Sequence, residues 1–131
     1  MQTAVTDLLY GPGQPMPGST MTDDEALDYA RKNYPEGNYC LVREWILIDL
    51  VVSEEQLALF TTSKLEPAII YAHSVVFDNQ RRWDVGDFVR TSPLHEFKEG
   101  FQFSTRHSTY LLLGPGTRKR ASIDTIAAFM K

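Results

Sequence analysis

Arginine, histidine and hydroxyl side chains recur close together in the second half of this chain, and those are the groups that can hold an anion and act on it. Arg90-Thr91-Ser92 and Ser104-Thr105-Arg106-His107-Ser108 carry two guanidinium groups, an imidazole and several hydroxyls, and Arg118-Lys119-Arg120 follows as a compact cationic run. Arginine's planar fork matches a carboxylate or a phosphate. A histidine beside it can move protons, so a metal-free hydrolase or nuclease using His107 with Arg106 is one chemistry these residues would allow. Such a site needs the strands holding residues 87–92 and 101–106 to be neighbours. A plainer reading competes: a solvated sheet face with a basic edge strand that resists aggregation. The plainer reading outweighs an anion site, because the whole chain is acidic at −4 whereas nucleic-acid-binding domains are usually basic.

Other chemistries find less support. Three histidines at 73, 95 and 107 and the single cysteine, Cys40, show no Cys-x-x-Cys or His-Glu-x-x-His pairing, so no metal site is expected. His73 sits among Ile69, Tyr71 and Val75 on a strand face, where a semi-buried structural histidine is the stronger reading. Cys40 starts an apolar strand face and reads as a small buried hydrophobe. Ser92 lacks a nucleophile-elbow pattern, and no glycine-rich phosphate loop occurs, so neither a catalytic residue nor a cofactor is assigned. Asp84 and Asp87 flank Val85-Gly86, where aspartate serves a turn by bonding nearby backbone amides. Aromatic side chains (Trp45, Trp83, Phe88, Phe97, Phe101, Phe103, Tyr110) exceed what one face of a small sheet needs. Trp83, in a turn region between Arg81-Arg82 and Asp84, is the expected exposed anchor of a protein interface.

A chain of 131 residues that is 43% hydrophobic and 23% charged suits one globular domain with its own core. Residues 1–131 are therefore read as a single domain. No apolar run is long enough to cross a bilayer, and MQTAVTDLLYGPGQP has no basic segment ahead of an apolar core, so the cytoplasm is the expected compartment. Charge is unevenly distributed. Residues 1–66 hold four basic side chains against eleven acidic ones, a balance of −7; the rest hold nine against six, a balance of +3.

These residues must be positioned by elements that local signals locate. Residues 1–18 are dense in glycine and proline and read as a loosely docked arm without a regular element, with Val5, Leu8, Leu9 and Tyr10 able to touch the body. Thr22-Asp23-Asp24-Glu25 is a capping box that starts a helix, with Ala26, Leu27, Ala30 and Tyr34 on one face and Pro35 and Gly37 stopping it. Residues 39–52 form a long strand in which strict alternation puts Cys40, Val42, Ile46, Ile48 and Leu50 together, opposite Leu41, Arg43, Trp45, Leu47 and Asp49. Ser53 to Gln56 caps a second, short helix. Residues 68–78 are apolar on both faces and read as a central strand. Phe101 to Leu113 forms a hairpin turning at Arg106-His107-Ser108, Gly114-Pro115-Gly116 breaks it, and residues 117–121 add a short edge strand. Ser122 caps a final helix with Ile123, Ile126, Ala127 and Met130 on one face. The expectation is an α+β domain: an antiparallel sheet of five or six strands, able to curl into a partial barrel, packed with an N-terminal and a C-terminal helix.

The segments WDVGDFVRTSPL (83–94) and TRHSTYLLLGPGTRKR (105–120), with NYCLVREW (38–45) and YAHSVVFD (71–78), resemble the signature of an uncharacterised family of small bacterial proteins. The resemblance covers nearly the whole chain after the N-terminal arm and implies no activity; it implies an association with prophages and mobile islands. The functional expectation is a non-enzymatic cytoplasmic protein, acting as a phage-linked accessory or inhibitor by binding another protein or a second copy of itself. Trp83, Arg90, Arg106, His107, Arg118, Lys119 and Arg120 are its candidate binding residues. The alternative is a small nucleic-acid binder using Arg90, Arg106 and the 118–120 cluster.

Overall fold

A computed structural model describes residues 4–129 of the 131-residue chain; the side chain of Val5 and residue Met130, both expected to pack on the body, lie outside that description. The elements run α1 (Ala4–Tyr10), β1 (Gln14–Met16), α2 (Asp23–Asn33), β2 (Tyr39–Val51), α3 (Glu54–Thr62) and β3 (Ala68–Asp78). They continue with β4 (Val89–Arg90), β5 (Glu96–Lys98), β6 (Gln102–Ser104), β7 (Thr109–Leu112), β8 (Gly116–Ser122) and α4 (Ile123–Phe129). Both capping boxes form as read: Thr22 Oγ1 accepts from the Glu25 amide while the Glu25 carboxylate accepts from the Thr22 amide, and Ser53 and Gln56 repeat the pattern. The arm is more ordered than its glycine and proline content suggests, since it holds α1 and the short strand β1.

The class is α+β and the sheet curls into a half-barrel, but its strands are not all antiparallel. β2 is the spine: β3 lies antiparallel along one side, and β7 and then β8 lie parallel along the other. β4 extends β3, β6 and β5 extend β7, and β1 covers part of β8, giving eight strands among the described residues. Parallel pairing needs a long return path rather than a helical crossover as such. Here β3 to β6 together provide it.

β7 and β8 follow β2 as one interrupted strand, and Gly114-Pro115-Gly116 is the joint. Trp45 lies across that joint and is 1% exposed; its indole Nε1 donates to the Gly114 carbonyl at 3.1 Å. A Cβ on Gly116 would stand 2.4 Å from the Trp45 ring, so glycine is what lets the indole seat there.

Strict alternation along β2 fails at one residue. Glu44 adopts φ +54, a left-handed conformation that shifts the side-chain phase. Cys40 and Val42 before it therefore share the inner core with Trp45 and Leu47 after it, together with Ile70, Val75, Phe103 and Tyr110. Ile46 and Ile48 point the other way, into a second core with Leu8, Ile69, Tyr71 and Ile126. β3 carries a separate irregularity: its register with β2 slips between the Leu41–Phe77 and Val42–Val75 pairs, which leaves Val76 as the extra residue. A third core, between α2 and the sheet, contains Ala26, Ala30, Tyr39, Leu41, Leu111 and Leu113.

Candidate interaction surface

The basic and hydroxyl residues singled out in the sequence do not converge. β4 pairs only with β3, whereas β6 pairs with β5 and β7, so residues 87–92 and 101–106 are not neighbours. Arg106 donates to the Ser63 carbonyl at the end of α3 at 2.5 Å, a favourable place for a cation beside a helix C-terminus. His107 is exposed, and its backbone is held by the Thr105 hydroxyl and the Asn38 amide. Ser108 accepts from Arg82, and Ser104 bonds Thr109. The run 118–120 is also divided. Arg118 forks onto Asp49 at 2.6 and 2.9 Å, and Lys119 Nζ donates to the Leu8 and Gly11 carbonyls at 2.6 and 2.7 Å, latching the end of α1. Arg120 is exposed and makes no ion pair among the described residues.

Trp83 is half-buried rather than an exposed anchor. It packs against the inner core, 6.4 Å from the Tyr110 ring, with the Arg82 guanidinium stacked 4.5 Å over its face. Arg82 in turn grips Asp78, whose side chain is fully buried, through two guanidinium bonds and its own backbone amide. Burial alone would raise the Asp78 pKa; the Arg82 bonds outweigh it and hold the carboxyl below its ordinary value. Nearby Cys40 is buried and pushed up to about 12, first by burial and then by the Asp78 charge, which leaves it an unreactive thiol. Asp84 and Asp87 serve the turn: the Asp87 carboxylate accepts from the Asp84 amide at 2.9 Å. Among the described residues no three potential metal ligands gather.

A different set of residues forms the most distinctive surface, on the sheet face of the second core. His73 lies 5.0 Å from Tyr71 edge-on, Tyr10 of α1 stacks on His73 at 6.1 Å, and Phe88 lies 6.0 Å from Tyr71. This row follows β3 and ends in solvent on both sides, Tyr10 being 75% and Phe88 60% exposed. Its Phe88 end is tied to the sheet. The Asp84–Asp87 turn, with Gly86 at φ +92, is bonded back to Val75, and Arg90 stands opposite Tyr71 in the β3–β4 ladder.

Beyond Arg90 the face deepens into a groove of about 360 Å³, floored by Leu50, Ile69 and Ile126 and walled by Phe60 of α3 and by Arg90 and Ser92. Thr91 anchors that wall: its hydroxyl accepts from the Ile70 amide and donates to the Ser92 carbonyl, and its own amide donates to the Ile70 carbonyl. Alongside runs α3, which buries none of its residues and leaves Leu59 70% exposed. Sequence reading listed Phe88 and Arg90 but missed their alliance with Tyr10 and His73. That contact depends on α1, which Lys119 holds from the far end of the chain.

The chain belongs to the family described as Domain of unknown function (DUF6957), whose model matches residues 17–128. No curated protein and no solved structure matches it. Among the described residues no helix is long and apolar enough to cross a membrane.

Proposed function

We infer that the protein works by binding another protein rather than by catalysis, as a cytoplasmic accessory or inhibitor of the kind carried by prophages. The observation that carries this reading is the half-roofed second core. α1 and α4 rest on each other and on β8, whereas the sheet face over β3 and β4 ends in exposed Tyr10 and Phe88, and α3 adds exposed Leu57 and Leu59 to the surface. Contiguous exposed apolar surface on a small protein marks an interaction site, and aromatic side chains on a rigid frame supply the largest share of binding energy. The engagement of Arg118 and Lys119 within the chain weighs against the nucleic-acid alternative, which relies on those cations. A single buried cysteine suits a reducing compartment.

Affinity capture from the native cytosol, with mass photometry of the eluted complex, tests the reading. The wild-type chain is expected to form a stoichiometric complex, with a partner or a second copy, and the Phe88→Asp, Leu59→Asp double variant to lose it at least about tenfold while staying folded. A strictly monomeric wild-type chain that captures no partner would overturn it.

A further inference from the structure

We propose that the groove beside Arg90 receives a short amphipathic segment of the protein partner, seating an apolar side chain on its floor and a carboxylate on the Arg90 guanidinium. The inference rests on the protein-binding reading and adds the chemistry of what binds.

Charge is the first argument. In a chain of net charge −4, the groove holds one charged lining residue, Arg90, and no acid. The neighbouring basic recesses differ in this respect. Those lined by Arg118 and Arg120 also contain Asp49, whose carboxylate already occupies the Arg118 fork. Arg90 makes no ion pair among the described residues, and it lines the groove beside apolar residues without a counter-ion. An arginine so placed favours a planar anion attached to an apolar body. The exposed Ser92 hydroxyl on the same wall can donate a further hydrogen bond.

Rigidity is the second argument. Thr91 is 3% exposed and fixed by three hydrogen bonds, so the groove wall is preformed and little ordering opposes binding. Continuity is the third, and it selects a peptide over a free amphiphile. The groove adjoins the exposed aromatic row: Arg90 stands opposite Tyr71 in the β3–β4 ladder, and the Tyr71 ring lies 6.0 Å from Phe88. A ligand covering both must present several apolar side chains at intervals, as an extended or helical segment does; a single alkyl chain would fill the floor and leave the row bare.

A displayed library of random linear peptides, selected on the folded full chain, supplies the probe. The selected peptides are expected to carry Asp or Glu close to Leu, Ile or Phe, and to bind Arg90→Glu at least about tenfold more weakly. Exchanging the peptide's acid for Lys should restore binding to Arg90→Glu, a rescue that general damage to the fold would not produce. Arg90 is exposed, and an unchanged circular dichroism spectrum and Tm would verify that the variant folds.

Peptides without an acid, or indifferent to Arg90→Glu, would overturn the assignment. If such peptides are still lost on Phe88→Asp, the protein-binding surface stands and only the groove chemistry falls; if they ignore both variants, both readings fall. In a second arm, decanoate is titrated against the groove and followed by NMR chemical shifts. Saturable decanoate binding that the selected peptides cannot displace would make the groove a site for small amphiphiles and overturn the proposal.

Discussion

At the scale of single residues, the most consequential pair is Asp78 and Arg82. A carboxylate with no exposed surface would be untenable alone, and Arg82, one-third exposed, supplies its counter-charge while tying the end of β3 to the β6–β7 turn through Ser108. Because the folded Asp78 pKa lies below its unfolded value, the pair stabilises the native state above the ordinary carboxylate range, and that contribution is lost as pH falls through the folded value. Arg82→Ala removes the guanidinium but leaves the backbone amide of residue 82 on the carboxylate, so burial is less opposed and the Asp78 pKa rises from its wild-type value. Urea unfolding of both proteins should show a gap of roughly 3 kcal/mol at pH 7 that narrows towards pH 3. A gap independent of pH would show that Arg82 acts by packing alone. Nothing in the sequence marks this pair out, since the ordinary turn residues Asp78, Asn79 and Gln80 hide a carboxylate that only the curled sheet buries.

At the scale of elements, terminal contacts decide what local propensity leaves open. α1 has seven residues, too few to be stable alone, yet it holds because Lys119 bonds two carbonyls at its end and Leu8 enters the second core. Lys119→Met should therefore release it. Hydrogen exchange is expected to quicken at least about tenfold in the amides of residues 8–10 while β2 keeps its protection, since about 1 kcal/mol accompanies each hydrogen bond removed. Equal acceleration in both would mean that α1 is part of the global unit instead. The β7–β8 joint makes a sharper claim. Gly116→Ala forces a methyl into the Trp45 ring, and a loss of at least about 1 to 3 kcal/mol is expected, measured by thermal or urea melting. Gly37→Ala, where a Cβ would meet only Tyr34 at 3.4 Å, serves as the control with little change. Gly11-Pro12-Gly13 and Gly114-Pro115-Gly116 look alike as turn formers in the sequence; only the fold shows that the second triplet makes room for an indole.

At the scale of the whole molecule, one long strand joins partners far apart in the chain. Tyr39 pairs with Thr109, so completing the spine requires closing a long loop of intervening chain. Stopped-flow refolding is accordingly expected in the millisecond-to-second range rather than in microseconds. What the amino-acid order determined by itself is local. The two capping boxes, the hairpin turning at residues 106–108, the apolar β3 and the burial of Cys40 are each signalled by residues within a few positions of one another, where backbone hydrogen bonding and side-chain periodicity act directly. What the tertiary structure decided is the parallel pairing of β2 with β7 and β8, the change of facing at Glu44, the half-burial of Trp83 and the capture of α1 by Lys119. These depend on which distant surfaces meet. A single left-handed residue that reverses the facing of half a strand yields its gain only through packing against partners that the neighbouring sequence does not contain.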